Sequence, residues 1–239
     1  MYPAHRKTVL EEIKERLKKG LPCRVVSTSL IEAGVDVDFL AVFREEAGLD
    51  SILQAAGRCN REGKRQAEES IVTIFRGETP PPSLFDIPVA AGREALNRYK
   101  QPDSPEAIRC YFQELLDLKG SHAQDQKDIL RLMEQELMPF RKVADRFHLI
   151  DSETKTVYIP LGEGQRLIAR LRAGERGKAL FRALGQYGVS VYPQHFAELD
   201  RAGALELLED GSAILADLDH YQIATGLKMD ITGGIAHIL

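Results

Sequence analysis

One short segment combines residue types suited to phosphate chemistry: Gln54, Gly57, Arg58 and Arg61, in the spacing Q-x-x-G-R-x-x-R. On a helix, Gln54, Arg58 and Arg61 would project from one face, because residues three or four positions apart are neighbours there. An arginine keeps its charge and can bind phosphate oxygens through two N–H groups at once. The spacing therefore predicts a polyphosphate-binding face with Arg58 and Arg61 as arginine fingers, whereas a single arginine elsewhere is usually just exposed to solvent.

The residues before this segment predict a second contact surface. A strand-like run ends at Thr28, and Ser29 and Glu32 follow with the spacing of a capping box, so we predict a short helix that stops at Gly34. Thr28 would then lie at the carboxyl end of a strand, beside a helix N-terminus whose free N–H groups attract phosphate. It is a candidate contact for a nucleic-acid backbone, although a capped strand end taken alone is usually structural.

Two acidic residues follow in an alternating pattern. Asp36 and Asp38 alternate with Val35, Val37 and Phe39. Both carboxylates would therefore leave one face of a strand. Asp36 is the residue that we predict to lie near a ribose.

The first third of the chain has the pattern of a parallel sheet with helices. Leu49, Leu53 and Ala56 form an apolar stripe that would pack a helix against that sheet. An open parallel sheet usually has about four to six strands. Because fewer are found here, we expect the chain to begin inside such a domain, as an expressed fragment or the product of an internal start or a split gene. The predicted strands are residues 23–28, 38–43 and 70–75.

Three consecutive prolines, Pro80–Pro82, predict a linker after this region. We therefore place a domain boundary between residues 78 and 79. Beyond it the apolar spacing is mainly helical, with a few short strand patterns. Helices are predicted at 89–99, 105–118, 125–136, 138–146, 163–173 and 175–184, and strands at 148–150, 156–159, 187–192 and 212–215.

The segments STSLIEAGVD and QAAGRCNR resemble motifs V and VI of superfamily 2 helicases. The forms EAGVD and GRCNREG are most similar to the CRISPR-associated helicase-nuclease of type I interference systems. The resemblance covers residues 1–78 and extends more diffusely into the C-terminal half. It implies an α/β fold, in which a partial RecA-like parallel-sheet motor domain (1–78) precedes linker helices and a mostly helical α+β accessory domain (79–239).

The resemblance also implies roles for individual residues. Arg58 and Arg61 would be catalytic, because they would stabilise charge on the γ-phosphate of ATP during hydrolysis. Glu32, Gly34 and Asp36 would couple the nucleotide to the DNA strand. The implied ATP-binding residues are Gln54, Gly57, Arg58, Arg61, Asp36 and Gly34. The implied contacts to single-stranded DNA are Thr28, Ser27, Glu32, Arg170 and Arg176.

Arg170 and Arg176 belong to a dense cationic group in the C-terminal half. A basic groove with aromatic residues that stack on bases is typical of single-strand binding, and Tyr187 and Tyr192 follow nearby. The alternative is a solvated helix face that Glu163 and Glu175 partly neutralise. The group comprises Arg166, Arg170, Arg172, Arg176, Lys178 and Arg182.

Several patterns of a complete motor are not found in this sequence. No segment has the phosphate-binding pattern G-x-x-x-x-G-K-[ST], and no Asp-Glu metal motif or His-Asp nuclease pair occurs. No Cys or His spacing predicts a metal site. We therefore expect no metal bound by this chain alone and no ATPase, helicase or nuclease activity without a partner. ATP with Mg²⁺ would be bound jointly with a first motor domain.

The resemblance implies an N-terminal nuclease and first motor domain of the same protein as partners, together with an RNA-guided CRISPR surveillance complex. Two alternatives remain open from the residues. The chain could be a non-enzymatic interaction module that binds the guide complex or an inhibitor. It could also be part of another superfamily 2 translocase.

Composition places further limits on the chain. Its 239 residues carry a formal net charge of −4, which is unlike the basic balance common in nucleic-acid-binding domains, and 44% are hydrophobic. The three cysteines, Cys23, Cys59 and Cys110, lack a metal-binding spacing and favour a reducing cytoplasm. No apolar run is long enough to span a membrane, and no signal peptide is predicted.

Overall fold

The computed structural model describes residues 1–32, 34–125, 127–148 and 153–228. Contacts divide the chain into two compact units. One consists of Met1–Glu12 with Ile150–Leu239, and we call it the terminal unit. The other is Ile13–Leu149, and we call it the central unit. Helix α1 (Pro3–Lys18) belongs to both units.

The central unit contains a small parallel sheet. Strand β1 (Ala41–Glu45) pairs with β2 (Ile71–Phe75), and Ala41 lies opposite Ile71. Helix α2 (Leu49–Ala56) connects the strands in sequence and contacts β1. The other helices of this unit are α3 (Asp86–Arg98), α4 (Pro105–Gln124), α5 (Ile129–Met133) and α6 (Phe140–Arg146).

Helix α2 is fixed mainly by other helices. Leu49 packs in a buried cluster with small side chains of α3 and with Tyr111 of α4. The Tyr111 hydroxyl donates to Asp50 Oδ1 at 2.6 Å, and burial raises the pKa of Tyr111. A Cβ at Gly92 of α3 would lie 3.0 Å from the carbonyl oxygen of Ala47, so any other residue would push this backbone away by a few tenths of an ångström. The predicted apolar stripe is therefore partly wrong, because Leu49, Ile52 and Ala55 are the buried positions of α2.

This packing explains why the compact units differ from the predicted boundary at residues 78 and 79. Helices α3 and α4 follow Pro80–Pro82 in sequence but pack against α2. Glu46 also connects the segments before and after Pro80–Pro82. Its carboxylate accepts hydrogen bonds from Arg76, which precedes the prolines, and from Arg93 of α3, which follows them. Hydrogen bonding from Arg93 lowers the pKa of Glu46. The central unit thus continues beyond the prolines to α6.

The terminal unit is built on a four-stranded mixed sheet in the order β4-β3-β6-β5. Strands β3 and β6 are parallel, and the other neighbours are antiparallel. Two short antiparallel strands, β7 and β8, form a separate ribbon. The strands are β3 (Lys155–Tyr158), β4 (Gly188–Val191), β5 (Leu205–Leu207), β6 (Ala213–Leu215), β7 (Tyr221–Gln222) and β8 (Gly226–Leu227).

Apolar clusters bury both faces of this sheet. One cluster joins Val157 and Leu215 to Phe196 and Leu199 of helix α9 (Pro193–Arg201). The other joins Ile214 to the apolar faces of helices α7 (Glu163–Arg172) and α8 (Lys178–Leu184). Burial on both sides explains why the side chain of every residue in β6 is shielded from solvent.

The first residues of the chain complete the terminal unit. Tyr2 is buried in the first of these clusters and stacks on Tyr221, with ring centroids 5.5 Å apart. His5 Nδ1 lies 2.7 Å from the Tyr221 hydroxyl. Burial lowers the pKa of His5 and raises the pKa of Tyr221 to about 12. These contacts favour a neutral His5 whose Nδ1 accepts a hydrogen bond from the Tyr221 hydroxyl, since both nitrogens of a protonated ring are donors.

The α/β class predicted from the sequence is confirmed, and several elements have shifted bounds. The strand predicted at 38–43 begins at Ala41, and the strand at 70–75 begins at Ile71. The strand predicted at 23–28 is wrong: this run pairs with no described strand, and Val26 is fully exposed. A strand needs a neighbour for its N–H and C=O groups. The prediction at 148–150 falls largely outside the described residues.

Candidate functional site

The arginine-bearing segment begins on α2 but leaves the helix before its arginines. Helix α2 ends at Ala56, with Gly57 as its cap, and the next residues form a turn. Asn60 then adopts a left-handed backbone with φ of 50°. The prediction that Gln54, Arg58 and Arg61 share one helical face is therefore wrong, because i+4 and i+7 spacing has no meaning beyond the helix end. Gln54 alone remains on α2, where its side chain is exposed.

Arg58 points into the protein and holds the turn that contains Glu32. Its side chain is only 8% exposed. Arg58 Nε donates to the carbonyl oxygen of Ile31 at 3.0 Å, and Nη2 donates to the carbonyl oxygen of Glu32 at 2.5 Å. The remaining nitrogen, Nη1, is buried and has no hydrogen-bond partner among the described residues. Arg58 thus joins the two segments that resemble motifs V and VI.

Arg58 contacts the main chain of Glu32, whereas Ser51 and Arg44 contact its carboxylate. Glu32 is 9% exposed, and its Oε2 accepts a hydrogen bond from Ser51 Oγ at 2.7 Å. Ser51 Oγ accepts in turn from Arg44 Nη2 at 2.9 Å. Arg44 Nε lies 3.0 Å from Glu32 Oε1 and forms an ion pair with it, but the geometry makes no hydrogen bond. Glu32 therefore does not form the predicted capping box with Ser29, and its carboxylate is shielded from a DNA strand in this conformation.

Arg61 differs from Arg58 because it lies at the surface. Its Nε donates to Asp36 Oδ1 at 2.8 Å, and its backbone N–H donates to Asp38 Oδ1 at 2.8 Å. The side chains of Arg61 and Asp36 are 44% and 77% exposed. A surface ion pair of this kind contributes at most about 1 kcal/mol. Arg61 can therefore exchange Asp36 for another anion at small cost.

The loop that carries Arg61 is itself rigidly attached. Arg65 Nη2 donates to Asp38 Oδ1 at 2.9 Å and to the carbonyl oxygen of Phe39 at 2.6 Å. The Asn60 side chain exchanges two hydrogen bonds with the backbone of Arg65. Phe39 also bridges Cys59 in a parallel arrangement. Asp36 and Asp38 do reach the same loop, although residues 35–38 do not form the predicted strand.

The turn that precedes Glu32 is short and exposed. A single 3₁₀ turn, Ser29–Ile31, follows Thr28, whose side chain caps no N–H group. Ser27 Oγ donates to the carbonyl oxygen of Thr28 at 3.0 Å. Gly34 has a φ of +72°, which suits glycine and agrees with the predicted helix stop. Thr28 and Ser27 are thus accessible, but they do not follow a strand.

The cationic group of the terminal unit is largely neutralised. Arg170 makes a bidentate ion pair with Glu175, and Arg176 Nε lies 2.5 Å from Asp210 Oδ2. Arg166 and Arg172 pair with Glu163 and Glu206. Only Lys178 and Arg182 lack an acidic partner among the described residues. These two and Arg176 line an open groove of about 420 Å³ together with Gly177 and Phe181.

The nearby tyrosines differ in their surroundings. Tyr187 is packed against the cores of the terminal unit, and a Cβ at Gly164 would lie 2.7 Å from its ring. It is therefore unsuited to stacking on a base. Tyr192 is exposed and makes an edge contact with His195. The sequence reasoning also missed Phe181, because an aromatic residue in a helical pattern is usually assigned to the core.

The described residues provide neither a cluster of metal ligands nor a membrane-spanning helix. Within the described ranges, no three side chains of His, Cys, Asp or Glu are grouped so that they could hold a metal ion. Among the helices that the structure describes, none is both long and apolar enough to cross a membrane.

Comparisons with known proteins identify what this chain resembles. Residues 1–64 match the family model of the C-terminal part of the CRISPR-associated nuclease/helicase Cas3, called Cas3-like. The CRISPR-associated nuclease/helicase Cas3 of Haloferax volcanii is 48% identical over 59 residues, which are 25% of this chain and 6% of that protein. The matched residues include Arg58, Arg61 and the turn before Glu32.

Solved structures give a likeness over most of the chain. A crystal structure of T. fusca Cas3-AMPPNP has a TM-score of 0.51 at 15% identity and covers 95% of this chain and 34% of that chain. A crystal structure of T. fusca Cas3 has a TM-score of 0.51 at 16% identity and covers 90% of this chain and 31% of that chain. At such identities the likeness shows the fold alone. The chain spans about a third of the solved chains that it matches.

Proposed function

We propose that this chain is the C-terminal part of a Cas3-type nuclease/helicase, since residues 1–64 match that family model. In this proposal it forms one side of an ATP-driven single-stranded-DNA translocase in antiviral defence. The observation that carries this proposal is the contact of Arg58 with the carbonyl oxygens of Ile31 and Glu32. A protein that converts nucleotide chemistry into movement needs its nucleotide-facing and DNA-facing segments to be mechanically connected.

The nucleotide side of the proposal rests on the exposed part of the loop. Arg61 would leave Asp36 for the γ-phosphate of ATP, and the exposed Gln54 at the end of α2 would reach the same ligand. Gly57 and Gly34 would let the backbone approach it, and Asp36 would then face the ribose. The donors suit a polyphosphate, whereas the Mg²⁺ that accompanies ATP would be held by the first motor domain, which supplies the carboxylate and hydroxyl ligands.

The DNA side has two parts in the proposal. Thr28 and Ser27 would contact the strand backbone, and Glu32 would act by holding their turn. In the terminal unit, the groove beside Arg176 would contact the strand through Lys178, Arg182 and Phe181. Arg170 is a weaker candidate because Glu175 already occupies its guanidinium. The upstream nuclease and first motor domain and a surveillance complex remain the proposed protein partners.

A second candidate function is a non-enzymatic interaction module. One face of the β1–β2 sheet favours it, because Phe43, Ile71 and Phe75 are 71%, 60% and 45% exposed. Parallel sheets are usually covered on both faces. The Arg61→Ala variant, which should keep the fold, separates the two candidates: a pure adaptor would retain its whole function, namely binding of the guide complex, whereas a translocase would lose ATP hydrolysis.

The assembly itself is tested with two polypeptides. We expect the purified chain to hydrolyse no Mg-ATP, because no phosphate-binding loop occurs in its sequence. Addition of a polypeptide with the nuclease and first motor domains of a Cas3-type protein from the same genome should restore hydrolysis that single-stranded DNA stimulates. Phosphate release measured with and without oligothymidine checks this. Hydrolysis by the chain alone that Arg58→Ala abolishes would refute it.

The groove gives a prediction that needs only this chain. Lys178→Gln with Arg182→Gln should weaken oligothymidine binding about tenfold, because both cations are free to contact phosphates. Each lost phosphate contact should lower the slope of log affinity against log salt by about one. Arg166→Gln with Arg172→Gln is the matched control, because it removes the same charge from residues that are paired with Glu163 and Glu206. Fluorescence anisotropy of a labelled oligonucleotide measures both, and equal losses would exclude the groove.

A further inference from the structure

We propose that Arg44 and Ser51 are positioning residues that couple the DNA-facing turn to the nucleotide-facing loop, an inference that rests on the proposed function. Neither residue belongs to the segments that resemble helicase motifs. Arg44 lies on β1 and Ser51 lies in the first turn of α2. Both reach Glu32, which is the residue that follows the 3₁₀ turn.

The hydrogen bonds run in one direction through Ser51. A serine hydroxyl has one proton to donate and lone pairs to accept. Ser51 Oγ accepts from Arg44 Nη2 and uses its only proton for Glu32 Oε2. The hydroxyl therefore orders the guanidinium of Arg44 and the carboxylate of Glu32 together. Loss of that hydroxyl would leave Arg44 and Glu32 in contact only through Arg44 Nε and Glu32 Oε1.

Glu32 is consequently held at both its side chain and its main chain. Arg44 and Ser51 fix the carboxylate, whereas Arg58 fixes the carbonyl oxygen. A displacement of the turn by a bound DNA strand must therefore move Arg58, or break these bonds. The backbone of Arg58 is in turn bonded to Phe39, which holds Arg65 and the loop of Arg61. The connection from the turn to the loop is continuous.

Two donors of this network are unpaired. Arg58 Nη1 and Arg44 Nε are buried and form no hydrogen bond among the described residues. Buried donors normally have partners, because an unpaired one loses its hydration without compensation. In our proposal, nucleotide or DNA binding shifts the network to a second arrangement that supplies these donors with acceptors. Two discrete arrangements of one network are what coupling between two sites requires.

The inference is tested by removing the Ser51 hydroxyl in the assembled enzyme. Ser51→Ala should lower the stimulation of ATP hydrolysis by single-stranded DNA about tenfold. The basal rate and the KM for ATP should change less than twofold, since no nucleotide contact is lost. Ser51→Thr should retain stimulation because it keeps the hydroxyl. Ser70→Ala, whose hydroxyl donates only to the carbonyl oxygen of Gln66, is the control and should behave as the unaltered chain.

Two results would overturn the inference: unchanged stimulation in Ser51→Ala, or an equal loss of basal and stimulated rates together with a lower Tm. If the unaltered assembly hydrolyses no ATP, the proposed function fails. The coupling between the turn and the loop is then tested by amide hydrogen exchange of the chain with and without oligothymidine. Oligothymidine should then slow exchange at residues 57–65 in the unaltered chain and in Ser51→Thr, but not in Ser51→Ala. Equal slowing in all three would refute the coupling.

Discussion

Replacing Arg61 with alanine is expected to lower the DNA-stimulated ATP hydrolysis of the assembled enzyme by about 10³-fold or more, which is the usual contribution of an arginine finger. The physical reason is the mobility of this guanidinium. It is about half exposed, and its one acidic partner among the described residues is an exposed carboxylate, Asp36. Because such a pair is weak, the tetra-anionic nucleotide can displace Asp36 and draw Arg61 to the γ-phosphate.

The same variant should leave the folded chain unchanged. The free energy of unfolding, measured by thermal denaturation, should change by no more than about 0.5 kcal/mol, as is usual for surface substitutions. Arg61→Lys keeps the charge but cannot bind two oxygens at once, so it should recover only a small part of the rate. Arg109→Ala, at an exposed position of α4, is the control for loss of positive charge. A full rate in Arg61→Ala would remove Arg61 from the proposed catalytic residues.

Replacing Arg58 is expected to have a second, different effect. Arg58→Ala removes the donors to the carbonyl oxygens of Ile31 and Glu32. Loss of hydrogen bonds from a charged donor in a buried place should destabilise the central unit by about 2–3 kcal/mol. Hydrolysis by the assembled enzyme should fall as well, because the turn and the loop would no longer be connected. Denaturant unfolding and phosphate release measure the two effects.

Arg58→Lys separates the two roles. A lysine keeps the positive charge, but its single ammonium cannot match two carbonyl oxygens bound by separate nitrogens of one planar group. The lysine variant should therefore remain nearly as destabilised as the alanine variant. If Arg58→Ala instead abolished hydrolysis with an unchanged unfolding free energy, Arg58 would act on the nucleotide as a finger. The structural role inferred from its burial would then be wrong.

The contrast between Arg58 and Arg61 shows where sequence reasoning succeeded and where it failed. The Q-x-x-G-R-x-x-R spacing and the segment before it indicated a resemblance to the CRISPR-associated helicase-nucleases, and the match of residues 1–64 to the Cas3 family model confirms that resemblance. The spacing treated the arginines as equivalent on one helix. They are not equivalent, because α2 ends at Ala56 and the chain then turns one guanidinium inward and the other outward.

The sequence could not predict the roles of residues that lie outside the motifs. Arg44 and Ser51 lie on different elements and meet Glu32 only because β1 and α2 pack beside the 3₁₀ turn. The same holds for the pairing of basic residues in the terminal unit. Glu163 and Glu175 are close in sequence and were recognised as counterions, whereas Glu206 reaches Arg172 across 34 positions.

The amino-acid sequence by itself determined the resemblance to Cas3 over residues 1–64, the α/β class, the positions of most helices and the residues suited to phosphate. These properties depend on local spacing and on residue chemistry, which a sequence displays directly. Only the tertiary structure decided that Arg58 is buried and Arg61 exposed, and that residues 23–28 form no strand. It also decided that Lys178 and Arg182 are the cations of their group without an acidic partner in the described part of the chain. Exposure, strand pairing and ion pairing are set by neighbours distant in the chain, so their outcome emerges only when the elements pack together.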